Sequence, residues 1–334
     1  MYTRKVIVTM MIALALLVSC GRTEPTKTST PPTAHLSWQA VPHRPSVSVG
    51  GTATLAPPTN TPEPTPLPPT ATPAPTITPA HLTPDALPEF KSKVDVGGYE
   101  MYLHCVGAGS PTVILESGWG DVAETWSLVQ PEVARFTRVC SYDRAGLGQS
   151  DPGPQPRNSL QIVKELRALL ENAGVEGPYI LVGHSMGGMY ACLFADLYQQ
   201  DVVGLVLVDS SHIDQFWRKV MILPPESPDD SESLKYYREW FTNATPDPTL
   251  GCMLFDAGSL GDVPLVVLTS PIKERADDLP AGLSAKFDEI WVELQKEWAK
   301  ISSNSTHVIA HGSSHFIQHD QPDLVINAIL QLIQ

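Results

Sequence analysis

Basic residues are scarce in this sequence. Its 334 residues include 22 Lys and Arg against 36 Asp and Glu, which gives a formal net charge of −14. A surface that binds nucleic acid needs a basic patch or stripe, and none is visible along the chain. The composition therefore argues against nucleic acid as a partner, and the acidity speaks mainly for solubility.

Long hydrophobic runs are also lacking. The run "VIVTMMIALALLVS" at residues 6–19 is short for a comfortable membrane span, and it follows the basic pair Arg4 and Lys5. A positive start, an apolar run and a small residue before the end are typical of a secretory signal. We therefore expect the mature protein to lie outside the cytoplasm.

Cys20 follows this run directly. The segment 1–20 resembles a bacterial lipoprotein signal, in which such a cysteine is lipidated and becomes the new N-terminus. The resemblance implies that Cys20 anchors the protein to the cell membrane. A plain secretory signal cut nearby and an uncleaved anchor are the alternatives.

Proline is abundant, with 32 residues, and it is concentrated in one region. Between Ala53 and Ala80, 18 of the 28 residues are Pro or Thr and one is charged. Such a segment cannot bury enough apolar surface to offset the entropy of ordering it. Residues 21–86 are therefore predicted to form an extended, disordered stalk.

From residue 87 the pattern changes to short apolar runs that alternate with amphipathic segments. Strand-like runs lie at 97–107, 111–118, 137–143, 179–183, 202–210, 263–270 and 306–310, and helix-like segments lie at 159–174, 187–199, 287–302 and 322–333. Buried strands separated by helices indicate an α/β fold with a mostly parallel sheet that helices cover on both faces. One folded domain is therefore predicted at residues 87–334.

One connector in this domain is unusually long. Two strands of one sheet rarely need the roughly 50 residues that separate Asp209 from Val263. The connector carries seven aromatic residues, including those of "YYREWF". We interpret residues 211–262 as a cap or lid, and the alternative is an ordinary surface insertion.

A serine lies between two glycines at the junction of a strand and a helix. The run "YILVGHSMGGMYACLFA" places Ser185 between Gly183 and Gly187. This Gly-x-Ser-x-Gly pattern is typical of a nucleophile elbow, a tight turn that exposes the serine hydroxyl at the edge of the sheet. Ser185 is therefore the candidate nucleophile.

Three further motifs accompany the elbow: "PTVILESGWG" at 111–120, "YDRAGLGQSD" at 142–151 and "GSSHFIQHDQPDLV" at 312–325. Together they resemble the α/β-hydrolase superfamily over the whole folded region, although "ESGW" stands where many members have His-Gly-Gly. The resemblance implies the α/β-hydrolase fold with an eight-stranded sheet and a lid. The implied relatives are serine hydrolases of the lipase and esterase type.

A serine hydroxyl needs a base, which comes last in the chain order of this family. His315 lies in the loop before the last helix, where the family places its base, and it is the predicted one. His311 could instead end a strand, and His319 could be a surface residue. His184, beside the serine, is expected to pack within the elbow.

The acid that orients the histidine is harder to assign. The family usually offers an aspartate after the strand at 263–270, but the sequence there reads "PIKERADD". Asp209 ends another strand at a position that some members use, and it is our prediction. Glu274, Asp277 and Asp278 remain as alternatives.

The oxyanion hole should consist of two backbone N–H groups. The resemblance implies Met186, directly after the nucleophile, and Trp119, in the loop after the strand at 111–118. Asp143 and Arg144 are interpreted as an internal ion pair that holds their loop.

The chain has five cysteines. The strand order of the family makes the second and fourth strands neighbours, and Cys105 and Cys140 would lie on those two strands. A disulfide between them is therefore implied, with two free buried thiols as the alternative. Cys192 is expected to be a small buried hydrophobic residue.

The leading interpretation is a serine hydrolase that cleaves small-molecule carboxylic esters through an acyl-serine intermediate. It needs no metal or organic cofactor, and the loop context of His311, His315 and His319 argues against a metal site. Amidases, thioesterases, perhydrolases and acyltransferases use the same triad. A non-catalytic binding or sensor module displayed on the cell surface is the alternative from another class.

Overall fold

The structure is a computed structural model that describes residues 87–155, 157–243, 258–271 and 278–333. The predicted signal at 1–20 with its Cys20 and the predicted stalk at 21–86 lie outside the described residues. None of the helices in this part of the chain has the length and hydropathy needed to cross a membrane.

An eight-stranded sheet forms the centre of the domain, in the order β1-β2-β4-β3-β5-β6-β7-β8. The strands are β1 Glu89–Asp95, β2 Glu100–Val106, β3 Thr112–Glu116, β4 Val139–Tyr142, β5 Tyr179–His184, β6 Val202–Val208, β7 Leu265–Thr269 and β8 Ser305–Ile309. β2 pairs antiparallel with β1 and β4, and all other neighbours are parallel. The predicted α/β architecture with a mostly parallel, eight-stranded sheet is confirmed.

Helices cover both faces of this sheet. They are α1 Gln130–Val133, α2 Ser159–Asn172, α3 Met186–Leu197, α4 Gln215–Met221, α5 Glu232–Asn243, α6 Leu283–Trp298, α7 Ile317–Asp320 and α8 Pro322–Ile333. Leu181 of β5 belongs to one apolar cluster with Phe194 and Trp298, whereas its neighbour Val182 belongs to another with Ile329. Because successive strand residues point to opposite faces, these clusters are the two sides of the core.

The central strands are buried along their whole length. Every residue of β3 and β5 is buried. Strands that helices cover on both faces need apolar side chains in both directions, which explains the continuous apolar runs in their sequence.

β1 was not predicted from its own sequence. Only Phe90 and Val94 pack partly buried apolar side chains against the core, and the rest of the strand is exposed. An edge strand with so little buried surface has almost no hydrophobic pattern to recognise.

The connector that was interpreted as a cap contains two helices, α4 and α5. α4 packs against α5 and α6. Several large side chains on α4 and α5 stay exposed, among them Trp217 at 55% and Tyr236 at 61%. Residues 244–257, within the predicted 211–262, lie outside the described residues.

Cys105 of β2 lies directly opposite Cys140 of β4, and the two are joined by a disulfide. Both are buried, at 2% and 0% exposure. Cys192 on α3 is a buried free thiol, and burial raises its pKa far above the usual range. It therefore behaves as a small apolar residue of the core.

Replacing Cys105 and Cys140 together by alanine is expected to lower the free energy of unfolding by about 3–4 kcal/mol, as estimated from the loop that a disulfide closes. The two positions are 35 residues apart. Urea unfolding followed by tryptophan fluorescence measures the change. A reductant should shift the wild-type midpoint and leave the double variant unchanged, and equal midpoints for both proteins would contradict the prediction.

Candidate active site

Ser185 occupies the turn between β5 and α3 with φ 53° and ψ −123°. This conformation is unfavourable for a residue with a side chain, and it persists only where the surroundings fix it. Here the amide of Ser185 donates to the Val208 carbonyl at 3.1 Å, and its carbonyl accepts from Gly188 and Ser211 at 3.0 and 2.9 Å. The turn is therefore held from both sides.

The two glycines of the elbow have no room for a side chain. A Cβ at Gly183 would lie 2.5 Å from the Cα of Gly188. A Cβ at Gly187 would collide with the Glu116 carbonyl and lie 2.5 Å from that of Ser117. Glycine is thus required at both positions because α3 lies so close to β5, which precedes it, and to the loop after β3.

Asp209 follows β6, the neighbour of β5 in the sheet. The parallel register pairs His184 with Val208, so Ser185 and Asp209 leave the sheet side by side. Both have positive φ, and they are the two non-glycine residues of the described chain that do, Asp209 with φ 44°. Aspartate tolerates this region better than most residues.

The carboxylate of Asp209 is fully buried and receives hydrogen bonds at both oxygens. Oδ1 accepts from the Ser270 amide at 2.9 Å and from the Trp291 indole at 2.8 Å. Oδ2 lies 2.6 Å from Nδ1 of His315. A buried carboxylate needs this number of donors to remain charged.

His315 lies between Asp209 and Ser185. Its Nε2 is 3.0 Å from Oγ of Ser185. Because the carboxylate can only accept, Nδ1 carries the proton and Nε2 is free to accept from the serine hydroxyl. The structure thus brings together the three residues that were predicted from the sequence as nucleophile, base and acid.

The other candidates that the structure describes lie elsewhere. His311 is exposed, and His319 places Nε2 2.9 Å from the Thr125 carbonyl. Asp278 is exposed and accepts from the Ser233 amide at 3.2 Å. Glu274 and Asp277 lie outside the described residues.

His184 supports the histidine loop. Its Nε2 lies 3.0 Å from the carbonyl of His315, and the two rings are 4.7 Å apart. Its Nδ1 is 3.7 Å from Asp121, too far for a hydrogen bond. Burial lowers the pKa of His184, so the ring is neutral at neutral pH and donates from Nε2.

The residues predicted to supply the oxyanion donors are Met186 and Trp119. Met186 is the first residue of α3, where backbone N–H groups have no partner within the helix. Trp119 lies in the loop after β3 and is 75% exposed. Both residues line the same cavity as Ser185.

This cavity has a volume of about 560 Å³, and Ser185 and His315 are in its wall. Much of the remaining wall is aromatic, and α4, α5 and α6 contribute Phe216, Tyr237, Trp240, Phe241, Phe287 and Trp291. Nζ of Lys219 lies over the ring of Trp291 at 5.2 Å. The cavity therefore offers a largely apolar surface beside the serine.

The helix α6 was predicted, but its part in the site was not. Three side chains on one of its faces donate to three consecutive residues after β6. The bonds run from Trp291 Nε1 to Asp209 Oδ1 at 2.8 Å, from Gln295 Nε2 to the Ser210 carbonyl at 2.6 Å and from Trp298 Nε1 to the Ser211 carbonyl at 3.1 Å. The sequence signal for this role is the i, i+4, i+7 spacing of Trp291, Gln295 and Trp298, which places them on one helical face.

The interpretation of Asp143 and Arg144 as an ion pair was wrong. Arg144 pairs with Glu116, while Asp143 accepts from the amides of Ala123 and Gln149, both at 2.8 Å. Backbone amides thus hold the Asp143 carboxylate in place of a cationic side chain. Such backbone partners cannot be read from the sequence.

Within the described residues, ligand-type atoms of His212, Asp214 and Glu297 lie within 4.8 Å of one another. Arg218 already donates to Glu297 at 2.9 and 2.7 Å and to Asp214 at 3.3 Å. The guanidinium occupies oxygens of both carboxylates and offsets part of their charge, so this cluster is an ion-pair network and does not favour a metal.

Comparison with known families matches residues 102–328 to the alpha/beta hydrolase family. The protein YqjL of Bacillus subtilis, described as uncharacterized, is 32% identical over 226 residues, which are 68% of this chain and 85% of YqjL.

Solved structures show the same fold. A probable hydrolytic enzyme from Pseudomonas aeruginosa is similar with a TM-score of 0.54 at 22% identity, over 75% of this chain and 95% of that chain. A serine hydrolase involved in carbazole degradation gives a TM-score of 0.51 at 21% identity, over 74% and 99%.

Substituting Gly183 or Gly187 by alanine is expected to lower the free energy of unfolding by about 3 kcal/mol or more, because backbone atoms cannot yield to the added methyl group. Gly177 is the control, since a Cβ there would lie 3.3 Å from its nearest neighbour, the ring of Tyr179, and a shift of a few tenths of an ångström would make room for it. Urea unfolding compares the three variants. A loss for Gly183→Ala no larger than for Gly177→Ala would contradict the prediction.

Proposed function

Because the chain belongs to the alpha/beta hydrolase family, we propose that it is a serine hydrolase that cleaves carboxylic esters through an acyl-serine intermediate. The observation that carries the proposal is the continuous hydrogen-bond chain from Asp209 through His315 to Ser185, at 2.6 and 3.0 Å. Nucleophile, base and acid in this order are what acyl transfer to a serine requires.

In the first half-reaction, Oγ of Ser185 attacks the ester carbonyl while Nε2 of His315 takes its proton. The carboxylate of Asp209 stabilises the imidazolium that forms. The carbonyl oxygen becomes an oxyanion and accepts from the amides of Met186 and Trp119. The imidazolium then protonates the leaving alkoxide, and an alcohol departs from the acyl-serine.

In the second half-reaction, His315 takes a proton from water, which attacks the acyl-serine. The tetrahedral intermediate collapses, the proton returns to Oγ of Ser185, and the carboxylic acid leaves. These steps are complete without a metal or an organic cofactor.

The aromatic wall supports a substrate with an apolar or aromatic portion. Burying such a group against these rings contributes roughly 25 cal/mol for each Å² removed from water. We propose that α4 and α5, within the predicted cap at 211–262, cover this portion of a small-molecule substrate. The exposed Trp217 and Tyr236 on these helices support a cover at the surface more than an element of the core.

Turnover of p-nitrophenyl esters from acetate to palmitate tests the reaction, with a thioester and a p-nitroanilide as competing substrate classes. Ser185→Ala should abolish turnover. Asp209→Asn should lower kcat by roughly 10⁴-fold, because the amide favours the wrong histidine tautomer.

Asp278→Asn is the matched control, because this carboxylate is exposed and bonded to Ser233, and it should keep wild-type kcat. A loss with Asp278→Asn in place of Asp209→Asn would overturn the assignment of the acid. Faster turnover of the thioester or the anilide than of the esters would identify a thioesterase or an amidase. Absence of all turnover would favour a binding module.

We also propose that Cys20 carries a lipid and that residues 21–86 form a stalk that holds the domain away from the membrane outside the cytoplasm. The support is the sequence: an apolar run that ends directly at the cysteine, followed by a Pro- and Thr-rich segment. An anchored enzyme would then act on substrates outside the cell membrane.

Growth of an expressing bacterium with labelled palmitate tests the anchor. The wild-type protein should take up the label and stay with the membrane fraction, whereas Cys20→Ser should do neither. Cys192→Ala, which removes a buried thiol of the folded domain, should retain the label. Label on the Cys20→Ser protein would contradict the proposal.

A further inference from the structure

Beneath the loop that follows β3 lies a buried ion pair. Nη1 of Arg144 is 2.5 Å from Oε1 of Glu116, and the two side chains are 5% and 3% exposed. Tyr142 donates its hydroxyl to the other oxygen of Glu116. The guanidinium is thereby fixed in place by a carboxylate that is itself held.

The same guanidinium also holds the backbone of the loop. It donates to the carbonyl of Ser117 at 2.6 Å and to the carbonyl of Gly118. A guanidinium presents its N–H groups as a rigid planar fork, so one side chain can bind a carboxylate and two successive carbonyls at once. Lysine, with a single ammonium group, lacks this geometry.

The orientation of one peptide unit follows from these bonds. In a trans peptide the C=O and the N–H point in opposite directions. The carbonyl of Gly118 points to Arg144, so the N–H of Trp119, which belongs to the same peptide unit, points away from it. Trp119 lines the cavity that Ser185 also lines.

The loop is confined on its other side as well. A Cβ at Gly118 would lie 2.9 Å from Oδ2 of Asp121 and 2.9 Å from Nδ1 of His184. Gly118 therefore has no room for a side chain between Asp121 and His184. Without the guanidinium, the Ser117 carbonyl would lose its donor. The Gly118 carbonyl would keep only the weaker bond from the Asp121 amide at 3.2 Å, so the peptide that follows it would be less firmly oriented.

We propose that Arg144 is a positioning residue for the oxyanion hole: held by Glu116, it turns the peptide between Gly118 and Trp119 so that the Trp119 amide faces the oxyanion. The inference rests on the proposed serine-hydrolase function. It gives the motifs "ESG" and "YDR" a shared role: the first forms the loop, and Arg144 of the second holds that loop in place.

The test uses Arg144→Met and Arg144→Lys in the full-length protein, with kcat and KM for a p-nitrophenyl ester. Because one oxyanion donor is typically worth about 10²–10³ in kcat, we expect kcat to fall by roughly 10²-fold while KM changes less than about threefold. The affinity for a trifluoromethyl ketone, which binds as a tetrahedral oxyanion, should fall in parallel with kcat.

Arg157→Met is the matched control. It breaks another ion pair with a buried carboxylate, that of Glu165, with side chains 18% and 2% exposed. The bonds of this carboxylate run to Tyr99, Arg157 and Gln161, and not to the loop after β3. It should cost stability and leave kcat and ketone affinity unchanged. If Arg144→Met does not fold, Arg144→Lys, which keeps the charge, decides with the same readouts.

Two outcomes would overturn the proposal. One is an Arg144 variant that is folded and keeps kcat within about threefold of the wild type. The other is a loss of kcat without a parallel loss of ketone affinity. Failure of the proposed function is distinguishable, since the wild-type protein would then neither turn over esters nor react at Ser185 with a fluorophosphonate.

Discussion

The hydrogen bonding of one buried carboxylate organises the candidate site. Asp209 can remain charged in the interior only if donors surround it, and they come from three places: the end of β7, α6 and the loop after β8. Each donor fixes the element that supplies it. The position of His315 relative to Ser185 therefore depends on contacts that extend well beyond the three residues themselves.

The parts of this arrangement that the sequence could predict are those with a local signature. The apolar runs of β3 and β5 predicted the sheet, and the glycines around Ser185 predicted the elbow, because sterics act on adjacent residues there. The acid has no such signature. A single aspartate after a strand looks the same whether or not a distant histidine meets it, so Asp209 could be preferred only by family resemblance.

Other features depend on contacts between distant segments. The partner of Arg144 is Glu116 and not the adjacent Asp143, and only the packing of β3 against β4 brings these side chains together. The indole of Trp291 reaches Asp209 from α6 across 82 positions of sequence. Periodicity predicted the helix, yet nothing in the periodicity indicates which side chain meets the carboxylate.

Trp291 belongs to two systems at once, because its ring forms part of the cavity wall while its nitrogen donates to Asp209. Under the proposed function, selectivity and turnover therefore depend on one shared side chain. A natural or laboratory lineage that reshapes this side of the cavity for a bulkier compound must also find a new donor for Asp209. Changes confined to α4 and α5 escape that constraint, and divergence in substrate preference should accumulate there first.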